Sequence, residues 1–116
     1  MRTEELPVFR PLYNLLSATD DVVVNFPKMR KHTDGAMMKK LTLDALRALY
    51  KANTSVCDPV ERRKSQEEVI YLLGCYRTML RLMNEKRVIS VRVVDQLTVL
   101  LDNIGKQVTA WKNRGK

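Results

Sequence analysis

The chain has 116 residues, carries a formal charge of +8, and is 45% hydrophobic but only 6% aromatic. That is enough for one domain with an aliphatic core and too little for two. No apolar run reaches the roughly 18 residues a membrane span needs, and the opening MRTEELPVF is not an apolar leader, so a cytoplasmic protein is expected. The basic excess favours nucleic acid or another acidic partner.

Taken in order, the first helix is expected over about 8–25. Phe9, Leu12, Leu16 and Val23 make its stripe, widened by Val8, Leu15 and Val22, with Asp20 and Asp21 on the polar side. Phe26-Pro27 punctuates it, because the residue before proline resists the helical region. Lys28 to Lys40 is the most basic stretch. A second helix is expected over about 33–53, with Thr33 or Asp34 placed to cap it and Lys28 to His32 as a loop; a start directly after Pro27 is the other option. Met38, Leu41, Ala45, Ala48, Leu49 and Ala52 form its core stripe. Leu43, Leu46 and Tyr50 form a second apolar flank, and Lys40, Arg47 and Lys51 occupy the polar side.

Asn53 to Asp58 reads as a loop. The third helix, about 59–85, has its start written out: Asp58 caps, Pro59 suits the first helical position, and Glu61 stands three residues after the cap. Val69, Leu72, Leu73, Tyr76, Met79, Leu80 and Met83 recur at steps of three and four. Tyr71, Cys75 and Leu82 extend the apolar arc beyond what one core needs. Arg77 and Arg81 lie one turn apart on the other flank, with Arg63 on the same line. After a short polar break, Ser90 caps a fourth helix over about 91–113, with Ile89 and Val94 placed as a hydrophobic staple. Its stripe of Val94, Leu97, Leu101, Ile104, Val108 and Trp111 is narrow. Asn113 to Lys116 reads as a frayed basic tail. Four amphipathic helices with short links predict a single all-α domain, an antiparallel up-down-up-down four-helix bundle.

The chain offers little for catalysis. His32 is the one histidine, and nothing in the sequence brings it to Cys57 or Cys75, which read as reduced thiols and small apolar fillers. There is no CxxC, no histidine pair, no Glu-x-x-His and no glycine-rich phosphate loop. No catalytic residue, metal or cofactor is expected. The cations carry the remaining signal. Lys28, Arg30, Lys31, Lys39 and Lys40 form one group. Arg62, Arg63 and Lys64 form another at a helix start, where positive charge opposes the macrodipole and invites an external reason. Lys40 with Asp44 and Lys64 with Glu68 are spaced to pair at i,i+4. The mode expected of the unpaired cations is salt-sensitive phosphate contact with RNA or DNA. The spare apolar residues Leu43, Leu46, Tyr50, Tyr71, Cys75 and Leu82 are candidates for a subunit interface. A structural oligomer whose charge only keeps it soluble is the competing reading.

Three stretches carry a resemblance. They are Phe26-Pro27-Lys28-Met29-Arg30-Lys31-His32, Tyr76-Arg77-Thr78-Met79-Leu80-Arg81-Leu82, and Ile104-Gly105-Lys106 with Trp111-Lys112-Asn113-Arg114. In these the chain resembles the Avd family, the accessory variability determinants of diversity-generating retroelements, within the bacterial four-helix-bundle group that includes the ribosomal RNA intervening-sequence proteins. The intervening-sequence branch has an Asn-Ile-Ala-Glu-Gly-like signature after helix two. Lys51-Ala52-Asn53-Thr54-Ser55 stands there instead, which favours the Avd branch. The resemblance implies a homopentameric barrel with a basic surface that binds a reverse transcriptase and takes part in template-RNA-primed, error-prone cDNA synthesis during mutagenic retrohoming. By motif match it implies contact with partner or nucleic acid at Arg77 and Arg81. Arg63, Arg47, Lys112 and Arg114, with Lys28, Arg30, Lys31, Lys39 and Lys40, complete the candidate basic surface.

Overall fold

Helix signals dominate the sequence, and the computed structural model, which describes residues 1–54 and 58–114, is all-helical over those residues. A 3-10 turn, Thr3–Glu5, precedes α1, Phe9–Val23. The next helical stretch, here α2, opens as Lys28–Arg30, passes through a π-helical turn, Lys31–Gly35, and continues as Ala36–Thr54. α3 is Pro59–Glu85 and α4 is Val91–Arg114. α1 packs on α2 and α4, and α3 packs on the same two, which closes a ring of four helices in a body 45 × 22 × 21 Å. This is compatible with a four-helix bundle. Cross-helix ties join Glu67 to Lys112 and Arg77 to Asp102. Others join Asp20 to Lys39 and Thr3 to Asn53. In these ties residue 67 meets 112 and 77 meets 102, while 3 meets 53 and 20 meets 39.

Local chemistry explains most of the boundaries. Asp58 Oδ1 accepts from the Val60 and Glu61 backbone N–H groups at 3.1 and 3.2 Å, with Pro59 at the first position, so α3 starts where its cap was written. Ser90 Oγ accepts from Val93 N–H, and Ile89 is buried beside it. α3 ends in a Schellman turn. Val88 N–H bonds to Met83 C=O at 2.8 Å and Arg87 N–H to Asn84 C=O at 3.0 Å, with Arg87 left-handed at φ 60°.

The start of α2 corrects the first of the two options read from sequence and follows the second, directly after Pro27. Neither Thr33 nor Asp34 caps it, and Lys28 to His32 is not a loop. Pro27, extended at φ −53° and ψ 145°, already supplies the acceptor for the first turn, with Lys31 N–H on its carbonyl at 2.9 Å. The Thr33 hydroxyl instead donates back to Met29 C=O, and Asp34 accepts from Arg30 at 2.8 Å. Gly35 closes the π turn against the end of α1. A Cβ there would lie 2.5 Å from Val23 Cγ1 and 3.3 Å from Phe26 Cδ2, so a side chain would hold the two helices apart. Asn53 and Thr54, read as loop, are helical; residues 55–57, including Cys57, and Gly115-Lys116 lie outside the described residues.

The core is aliphatic, as composition implied, with Leu12, Leu15, Met38, Leu49, Val69, Met83, Leu101 and Ile104 among the fully buried side chains. Tyr76 is its one fully buried ring among the described residues. Thr19 is buried beside it, a polar residue the α1 stripe did not include. The Thr19 hydroxyl donates to Leu15 C=O, so the Tyr76 hydroxyl donates to Thr19. Burial pushes the Tyr76 phenol up to about 12. Leu46 also corrects the reading. Its spacing puts it on an outward flank, but it belongs to the core. α2 packs between α1 and α3, and two neighbours bury a wider arc than one.

Candidate nucleic-acid and partner interface

Arg77 and Arg81 stand one turn apart on the outer face of α3, with exposed Gly74 and Thr78 beside them. Arg77 Nη2 meets Asp102 Oδ1 on α4 at 2.6 Å. Arg81 is 83% exposed, and its nearest acid, Glu85, is 3.8 Å away. Both pairs are in solvent, where such contacts contribute little, ~0–1 kcal/mol. The Arg77–Asp102 pair borders a depression of about 550 Å³ floored by Gly105, Thr109 and Ala110, with Lys106 on its rim. Lys106 was not among the sequence candidates, although its position one turn after Asp102 on the same helix face places it there.

The other candidate cations divide into engaged and free. Arg30 pairs with Asp34, Lys39 with Asp20, and Lys40 and Arg47 share Asp44. Lys112 is half-buried and reaches Glu67 at 3.8 Å. Lys28, Lys31, Arg63 and Arg114 make no ion pair among the described residues. The cluster at the start of α3 turns out to have internal reasons for two of its three charges. Arg62 Nε donates to Ala52 C=O at 3.2 Å, and its guanidinium lies 5.6 Å from the Trp111 ring centre, which ties together α2, α3 and α4. Lys64 pairs with Glu61 at 3.4 Å rather than with Glu68. Arg63 is the exposed and unpaired member.

Of the candidate interface residues, Leu43, Tyr50, Tyr71 and Leu82 are exposed and Cys75 is half-buried; Leu46 is withdrawn into the core. Tyr50 is partly occupied already. Its hydroxyl donates to Glu4 at 2.9 Å, which raises the phenol above its ordinary value, and its ring meets Phe9 edge-on. Phe9 also stacks on Tyr13, and Arg10 lies over that ring. Tyr13 and Met37 are exposed; Met37 is therefore outside the core that helical spacing favours for the methionines, and Tyr13 was not singled out from sequence. The Phe9–Tyr13 spacing of four was the available signal. His32 is exposed and Cys75 lies on α3. Among the described residues no three His, Cys, Asp or Glu side chains are grouped to hold a metal, and no helix is long and apolar enough to cross a membrane.

Comparison with known proteins gives a bAvd-like family model that matches residues 8–115. The chain belongs to the bAvd-like family. This agrees with the resemblance carried by its three motifs, and the family is an accessory family rather than one of known enzymes. Neither curated proteins nor solved structures give a match. Within the bAvd-like chain, the Pro27-basic motif forms the start of α2, the Arg77–Arg81 motif forms the outer face of α3, and the Trp111 motif forms the end of α4.

Proposed function

We propose that the chain is the accessory protein of a diversity-generating retroelement, a basic homo-oligomer that binds the reverse transcriptase and its RNA and cDNA during mutagenic retrohoming. Family membership over residues 8–115 carries the reading. A charge of +8 and the solvent-facing Arg77 and Arg81 support it. The opposed order of the cross-helix ties supports the antiparallel up-down-up-down form of the bundle. Exposed Leu43, Tyr71 and Leu82 are apolar surface left over for subunit contacts, with a pentamer as the assembly the family implies. Phosphate contact is the binding mode, so affinity falls steeply with salt.

The test is a pull-down of the cognate reverse transcriptase and an RNA titration, with wild type and the Arg77→Glu/Arg81→Glu double variant, alongside light scattering for mass. Loss of either interaction with unchanged mass and helicity supports the reading. A variant that engages polymerase and RNA as wild type does removes these arginines from the site. A wild-type monomer that ignores both partners overturns the function.

A further inference from the structure

Two backbone features depart from regular α-helix, the π turn Lys31–Gly35 inside α2 and the left-handed Arg87 just after α3. They lie at the same end of the bundle. The helical stretch of α2 and the helix α3 each run 27 residues on either side of one short connection, so the start of α2 and the end of α3 come to one end. Each irregularity costs stability where a regular alternative exists, and each displays cations. A π turn inserts one residue and rotates the remainder of its helix by about 100°. Lys31 and Lys39 would project about 80° apart on an unbroken α-helix; after the inserted residue they fall within about 20°. They then line one depression of about 450 Å³ with His32 and Asp20. Lys39 is held by Asp20 at 2.8 Å, while Lys31 makes no ion pair among the described residues. At the other irregularity, glycine would adopt φ 60° without penalty, yet an arginine stands there. Lys86, Arg87 and Arg92 likewise make no ion pair among the described residues. Val24, Met29 and Val91 add exposed apolar side chains to the same end, at 60%, 82% and 64% exposure.

We infer that this end of the bundle is a binding face for single-stranded nucleic acid, with Lys31 and Arg87 as its anchoring phosphate contacts and Lys28, Lys86 and Arg92 around them. The strand is favoured over a duplex because unpaired bases offer apolar faces to Met29 and Val91, whereas a duplex presents mainly its backbone. The face lies just beyond Arg81, the last residue of the Arg77–Arg81 line on the side of α3, and the inference rests on the nucleic-acid reading of the proposed function.

The test is fluorescence anisotropy of the full chain with labelled oligouridylate and oligothymidylate, across a salt series, with a hairpin duplex and polyglutamate as competitors. Arg87→Gly is the decisive variant, because it relieves the left-handed backbone while removing the charge. It is expected to melt at or above the wild-type temperature and to bind either strand about fivefold more weakly; Lys31→Gln binds equally weakly, and the pair lowers the log-log salt slope by about 1.4. Lys51→Gln, an exposed lysine at the opposite end and outside the candidate surface, stays within about twofold of wild type. Folded Arg87→Gly and Lys31→Gln proteins that bind as wild type overturn the inference. So does polyglutamate or the duplex displacing the strand at equal concentration. If Arg77→Glu/Arg81→Glu abolishes binding while the end-face variants do not weaken it, this face alone falls. If wild type binds no strand at low salt, the nucleic-acid reading falls and takes this face with it.

Discussion

The two ends of the bundle tie up different shares of their charge. At the end that holds the N-terminal turn, polar groups are bonded across elements. Arg62 reaches Ala52 C=O and the Trp111 ring, Asn53 holds Met1 C=O and Thr3, and Tyr50 holds Glu4. At the end with the π turn and the Schellman turn, Lys28, Lys31, Lys86 and Arg87 stay free of ion pairs among the described residues, on backbone that is irregular at both places. A cation closed into hydrogen bonds and an aromatic face is part of the fold. Arg87, exposed on left-handed backbone, has no ion-pair partner among the described residues that accounts for it. Net charge alone does not separate the two; partners do.

That contrast can be broken experimentally, beginning at the closed end. Trp111→Ala removes a half-buried ring and the surface under Arg62, and should cost about 3 kcal/mol of stability in denaturant titration while leaving RNA affinity within about twofold. A loss of RNA binding that exceeds the loss of folded protein would give Trp111 a place in the interface. Tyr76, between the ends, supplies a pH reference that neither face shares. Its phenol is neutral when protonated, and its folded pKa of about 12 lies above the ordinary 10. Stability from this group is therefore fully present below about pH 10. It is lost as pH rises towards 12, because the unfolded chain ionises first, by roughly 2–3 kcal/mol. Tyr76→Phe should flatten that part of the alkaline stability curve, and an unchanged curve would deny the buried phenol its role. Gly35→Ala comes next, at about 2 kcal/mol, because Val23 is a stiff β-branched neighbour that cannot easily turn away from a new Cβ. It should also weaken RNA binding by disturbing the π turn. Unchanged melting would show that the α1–α2 approach is looser than the structure has it.

The long helices and the two starts at Asp58 and Ser90 were the legible parts. Asp58-Pro59 and Ser90 are cap signals that work within a few residues, and both α3 and α4 start where those signals stand. The α4 stripe is narrow and regular, and Leu97, Leu101, Ile104 and Val108 are buried as its period requires. The turn end was less legible because its determinants are tertiary. Thr33 and Asp34 are good caps in isolation; what decides the start of α2 is Pro27 and the need to bring Gly35 onto Val23 and Phe26. The inserted residue then changes which side chains share a face, and no fixed helical period anticipates that. Leu46 is misplaced by its spacing for a related reason, since a flank becomes core only when a second neighbour covers it. At the candidate site, the sequence located Arg77 and Arg81 on one face but not Asp102, which comes from another helix 25 residues away.

Asp102 gives the smallest and most selective prediction. It lies 2.6 Å from Arg77 in an exposed pair, so it contributes little to folding but holds a negative charge where a phosphate would sit. Asp102→Asn keeps the shape and removes that charge. Stability should change by less than about 0.5 kcal/mol. RNA affinity at low salt should rise about threefold, and the gain should shrink as salt screens it. In the Arg77→Glu/Arg81→Glu background the gain should vanish, because it acts through Arg77. If Asp102→Asn instead weakens binding, Asp102 holds Arg77 in the orientation that contacts RNA. The side of α3 would then obey the logic of the closed end, with a paired cation as a positioned one, and free charge alone would cease to mark the interface.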